Sequence, residues 1–127
     1  MNADPSQAWF RAGEEAATLP IDGIVTRLRV TIGIGLVAYI GGATTTSAVS
    51  DWADGRAVPN GDADKRLRTA FHSLGILLER WGAVTIQSWF KGMNPTLGDE
   101  APARVIREST PAGANNVIVA ACSAMIN

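Results

Sequence analysis

The longest apolar pattern in the chain runs through residues 62–81, where Leu67, Phe71, Leu74, Leu78 and Trp81 recur at three- and four-residue intervals behind Asp62. Only a helix stacks such residues on one face, because 3.6 residues per turn bring i, i+3, i+4 and i+7 together. No two period-2 runs flank a hairpin turn anywhere in the 127 residues, so there is nothing from which to build a sheet. The expected fold class is therefore all-α.

The remaining helices follow from the same period and from caps. Asp4, Pro5 and Gln7 have the order of an N-cap, a first-turn proline and a capping partner, and Trp9, Ala12, Ala16 and Leu19 mark an inner face up to Pro20. Ile24, Leu28, Ile32, Leu36 and Ile40 repeat every four residues, with Gly33 and Gly35 expected to split the run in two. After Gly41-Gly42, residues 45–53 read as a short hydroxyl-capped helix with Ala48, Val49 and Trp52 inward. Beyond Gly82 come short helices at residues 86–90 and 100–107 around a turn at Asn94-Pro95, then a last helix behind Thr110-Pro111 with Val117, Ala121, Cys122 and Met125 inside. The expected division is an N-terminal helix (1–21), a helix-turn-helix unit (22–81) and a small helical unit (82–127).

With 46% hydrophobic residues and four tryptophans, the chain can build a core, and disorder is excluded. Eleven basic residues against twelve acidic ones give no global attraction for nucleic acid or anionic lipid. Residues 30–50 have the length of a membrane span, but their apolar part stops near Ala43 and gives way to Thr44, Thr45, Thr46, Ser47 and Ser50. The single Cys122 forms no internal disulfide, and the start MNADPSQAWF lacks the basic-then-apolar order of a secretory signal, so a cytoplasmic protein is expected.

Reactive groups are sparse. His72 and Cys122 each occur once, the acidic residues make no metal-ligand spacing, and both singletons are expected to be structural, so no enzyme, metal or cofactor is expected. Gly33, Gly35 and Ala38 satisfy G-x-G-x-x-A, with Asp51 or Asp54 about 20 residues on, but the strand-helix units that a dinucleotide fold requires are missing.

Residues 36–59 have the layout of a helix-turn-helix. Trp52-x-x-Gly55-x-x-x-Pro59 resembles the ending of Xre-type (lambda-repressor-like) DNA-binding modules. That resemblance implies a DNA face of Thr45, Thr46, Ser47, Ser50, Arg56 and Lys65 on operator DNA. The second helix itself offers no Lys or Arg, so phosphate attraction has to be borrowed from Arg56, Lys65, Arg66 and Arg68. A scaffold or dimer surface is the alternative use of the same unit.

The most specific string is Trp89-Phe90-x-x-Met93-Asn94-Pro95-x-Leu97-Gly98, followed by Ala101-Pro102-x-x-Val105-Ile106-Arg107. Locally it spells a turn at Asn94-Pro95, an unusual backbone angle at Gly98 and a helix started by Pro102. The whole resembles the toxin-binding domain of the Xre/MbcA/ParS antitoxin family, over roughly residues 24–126 when the Xre-like part is included. The resemblance implies an antitoxin that blocks the NAD-binding site of a RES-domain toxin, an NAD-degrading or ADP-ribosyltransferase enzyme. The same resemblance implies a homodimer or toxin-antitoxin hetero-oligomer, and a self-repressed operon. The implied toxin-binding residues are Trp89, Asn94, Pro95, Leu97, Gly98, Arg107, Ala121, Met125, Ile126 and Asn127, with the tail plugging the toxin's pocket. A DNA-binding regulator without a toxin is the runner-up.

Overall fold

The computed structural model describes residues 5–126, and among these every regular element is helical. The order is α1 (Pro5–Thr18), α2 (Ile21–Ile32), α3 (Ile34–Gly41), α4 (Thr46–Ala53), α5 (Gly61–Leu77), α6 (Ala83–Lys91), α7 (Pro102–Arg107) and α8 (Pro111–Ile126), with a 3-10 turn at Pro95–Leu97. The expected cap Asp4 lies outside the described residues.

The centre is α5, against which α1, α2, α3, α7 and α8 all pack. Asn60 starts it, two residues before Asp62, by accepting the Ala63 N–H at 2.8 Å. A helix covered from several sides buries more than one stripe. Ile76 and Leu77 are accordingly fully buried besides Leu67, Phe71 and Leu74, while Leu78, expected inside, stands 50% exposed just past the helix end. One hydrophobic cluster runs from Ala12 and Ala16 through α2, α3 and α5 to Val117, Ala121 and Met125. The two parts of the chain thus share a core.

Glycine decides the break between α2 and α3. Gly33 has φ +91°, a left-handed angle that side chains resist, so the helix stops and restarts at Ile34. The restart shifts the phase of the apolar face. Val37 and Ile40 are buried, whereas Leu36, which continues the four-residue series, is only partly covered.

Trp9 departs from its expected inner position because α1 lies too close to α5 to admit an indole. Ala8, Ala12 and Ala16 form the contact instead, and a Cβ on Gly75 would lie 2.7 Å from that of Ala12. Trp9 is displaced to the flank, 40% exposed, with its ring edge-on to Phe10 and tilted against His72. At the other end of α1, Arg68 on α5 donates to the carbonyls of Ala16 (2.8 Å) and Leu19 (2.9 Å) while its Nε meets Asp64 at 2.7 Å. Such a helix end has carbonyls without intrahelical partners, and here a guanidinium supplies the donors.

His72 sits in the same seam, half-buried, its Nε2 3.1 Å from the Trp9 carbonyl. Burial pushes its pKa below the ordinary value, and the bond to Trp9 offsets part of that. A folded-state pKa lower than the unfolded one means that the folded form binds fewer protons as the pH falls. Stability is then complete above the unfolded value of about 6.5 and declines below it, levelling off once the folded pKa is passed. Urea midpoints measured from pH 7.5 to 5 should fall in the native protein, and His72→Gln should remove part of that slope.

Candidate functional site

The motif of residues 89–107 folds into a tight knuckle between α6 and α7. Asn94 Oδ1 accepts the Thr96 N–H at 3.0 Å, its carbonyl accepts from Leu97 and Asp99 at 2.9 Å each, and its own N–H reaches the Glu100 carbonyl at 3.2 Å. Pro95 opens the 3-10 turn with its fixed φ, and Gly98 closes it at φ +63°. Asp99 follows in the same left-handed region at φ +67°, which Asp tolerates better than most residues. Pro102 occupies the first turn of α7, whose Ile106 is fully buried and Val105 partly so. The Asn, the Gly and both prolines therefore have the local backbone roles that their order implies. The helix expected from residue 100 begins two residues later, behind Ala101.

Other residues assigned to the toxin-binding set are dispersed around this knuckle. Trp89 is partly buried with its ring edge-on to Phe90, and Leu97 packs on the core from the 3-10 turn. Arg107 bends back to α3, donating to the Tyr39 carbonyl at 2.7 Å with its guanidinium over the Tyr39 ring. Ala121 and Met125 are at 0% and 4% exposure and belong to the core, against their expected place at a contact surface. The last helix has to bury one face against α5, and these residues are on it. Ile126 is 73% exposed, and Asn127 lies outside the described residues.

On the outward face of α8, sequence reasoning named Ile126 and missed the other residues. Ala112, Asn115, Asn116, Val119 and Ile126 fall at i, i+3, i+4, i+7 and i+14 and are all exposed. Across Pro111–Ile126 there is no Asp, Glu, Lys, Arg or His, so the solvent side carries no charge. The signal was present in the sequence. Both faces of the helix being uncharged, amphipathicity did not separate them. The helix that carries this face adjoins the knuckle, since α8 packs against both the 3-10 turn and α7. Cys122 lies to one side, partly buried, with burial pushing its thiol pKa up and so keeping it protonated.

The helix-turn-helix candidate is formed by α3 and α4. Gly41 lets the Trp52 ring of α4 lie on α3, since a Cβ there would come 2.9 Å from Cζ3. Thr45, Thr46 and Ser47 are exposed and Ser50 is half-covered. Thr45 makes no side-chain cap, contrary to expectation, and its hydroxyl faces that of Ser47 at 3.0 Å. The cations meant to serve this face are mostly engaged elsewhere. Arg66 donates to the carbonyls of Ile40 (3.1 Å) and Gly41 (2.9 Å), Arg68 is held by α1 and Asp64, and Arg56 lies beside Asp54 (3.5 Å) and Asp51 (3.9 Å). Lys65 is exposed on α5.

Family models, curated proteins and solved structures give no match to this chain. Among the described residues no helix is long and apolar enough to cross a membrane, and no three His, Cys, Asp or Glu side chains are grouped to hold a metal.

Proposed function

We propose that this protein is a binding protein of antitoxin type, which blocks the NAD pocket of a RES-domain toxin with its C-terminal part. The observation that carries the reading is the charge-free outer face of α8, a helix that packs beside the knuckle of residues 94–100. A solvated helix in a chain with 18% charged residues ordinarily displays some of them, and an uncharged face with exposed Val119 and Ile126 fits coverage by a partner. The resemblance of the knuckle to the toxin-binding motif supports a RES-domain toxin as that partner. Ile126 and Val119 take over the contact role that Ala121 and Met125, held in the core, cannot serve.

Operator DNA is a poor fit to α4. Phosphate contacts supply most of such affinity, while Arg66 and Arg68 are committed to helix ends and two aspartates flank Arg56.

Val119→Glu tests the reading, because the residue is 47% exposed and a glutamate there is compatible with the helix. A charge desolvated at the centre of an interface costs several kcal/mol, so affinity for the RES-domain toxin should fall by roughly a hundredfold or more. Cells co-expressing the toxin should lose protection while circular dichroism and the urea midpoint stay as in the native chain. Undiminished protection by Val119→Glu, or NAD turnover by the purified chain alone, would overturn the assignment.

A further inference from the structure

The C-terminal end of α3 presents three successive carbonyls, and each is bound from another helix. Arg66 of α5 takes those of Ile40 and Gly41, and Arg107, the last residue of α7, takes that of Tyr39. The Arg107 contact is double: besides the 2.7 Å bond, its Cζ lies 4.6 Å from the centroid of the Tyr39 ring. A planar guanidinium can hold a carbonyl in its plane and a ring on its face at once, which an ammonium cannot. At the same turn, Gly41 is pressed against the Trp52 ring of α4. The end of α3 is therefore a junction that both α4 and α7 contact.

From this geometry we infer that Arg107 is a positioning residue which transmits the placement of α3 and α4 to α7 and the knuckle of residues 94–100. It acts through Tyr39 and does not touch the partner. The functional meaning rests on the proposed partner surface, since only there does moving the knuckle alter binding. If both hold, occupancy of one face biases the other, and by linkage the effect runs equally in both directions. The clasp itself is a property of the chain alone.

Native-state hydrogen exchange on the full chain, without any toxin, tests it. Gly41→Ala displaces Trp52 from the α3 side, and the amides to follow are those of Val105 and Glu108 in and after α7, which donate to the carbonyls of Ala101 and Arg104. With Arg107 present, Gly41→Ala should speed their exchange by about fivefold, the scale of one partly exposed cation–π and hydrogen-bond pair. In an Arg107→Met background the same change should add nothing. Tyr39→Phe, which keeps ring and carbonyl, should behave as the native chain, and Tyr39→Ala, which keeps the carbonyl but loses the ring, should fall between the native chain and Arg107→Met. Exchange in α1 should not move in any variant, which separates transmission from general loss of stability. An equal effect of Gly41→Ala in both backgrounds, or none on α7 while α4 responds, would overturn the inference. Trp52→Phe, a smaller displacement of the same contact, gives the same reading if Gly41→Ala does not fold. If the transmission is seen and toxin affinity is insensitive to Val119→Glu, the partner reading alone has failed.

Discussion

Arg68→Met should lower the stability of the protein by about 2–4 kcal/mol, the sum expected when one partly buried charged donor leaves several acceptors unpaired. The guanidinium makes three bonds of 2.7–2.9 Å, two to the carbonyls of Ala16 and Leu19 and one to Asp64. Its side chain is 27% exposed and that of Asp64 29%, so water only partly replaces what is lost. Methionine keeps much of the aliphatic stem and removes the charge, which confines the change to the bonds. Arg68→Lys retains the charge but has no fork with which to span two carbonyls and a carboxylate, and less than half of the loss should be recovered. Urea unfolding gives the comparison. A loss below about 1 kcal/mol in the methionine variant, the level of an exposed ion pair, would mean that the staple does not hold α1 to α5.

How far the sequence announced this architecture depends on what kind of information each element carries. The helices were legible where a periodic face met a cap or a breaker: Gly33, Gly42, Gly55 and Pro102 all stand where helices stop or start. The motif of residues 94–102 was legible because its backbone demands are local, an Asn acceptor, a proline φ and a left-handed Gly98. Long-range choices were not. That Ala8, Ala12 and Ala16 and not Trp9 face α5 depends on how closely two helices approach, which neither helix states alone. The employment of Arg66, Arg68 and Arg107 as donors to distant carbonyls has no spacing rule, because the partners lie 25 to 68 positions away. Arginines that composition offers to a ligand are thereby withdrawn by the fold. The same holds at the candidate site, where Ala121 and Met125 fit the inner face by periodicity and yet were assigned to the toxin by resemblance, and the packing on α5 keeps them in the core.

The closeness of α1 and α5 leads to an expected reversal of sign between two glycines. Gly75→Ala should destabilise by about 1–2 kcal/mol, whereas Gly23→Ala should stabilise by about 0.5–1 kcal/mol. Both residues are inside helices, and in both positions alanine is favoured by about 1 kcal/mol in propensity. What differs is the space. A Cβ on Gly23 meets nothing within 4 Å, whereas one on Gly75 would lie 2.7 Å from Ala12 Cβ and 3.5 Å from its Cα. Those atoms are fixed to the α1 backbone, so no side-chain rotation relieves the clash and the whole helix has to slide outward. Sliding lengthens the contacts of Ala8 and Ala16 and pulls on the bonds from Arg68 and His72, so the cost exceeds the propensity gain. Ala12→Gly in the Gly75→Ala background exchanges the two partners and should restore most of the stability lost to the clash. Thermal or urea unfolding of the three variants beside the native protein decides the matter: a stabilised Gly75→Ala protein, or a double variant no better than the single one, would show that α1 does not rest on α5 at this distance.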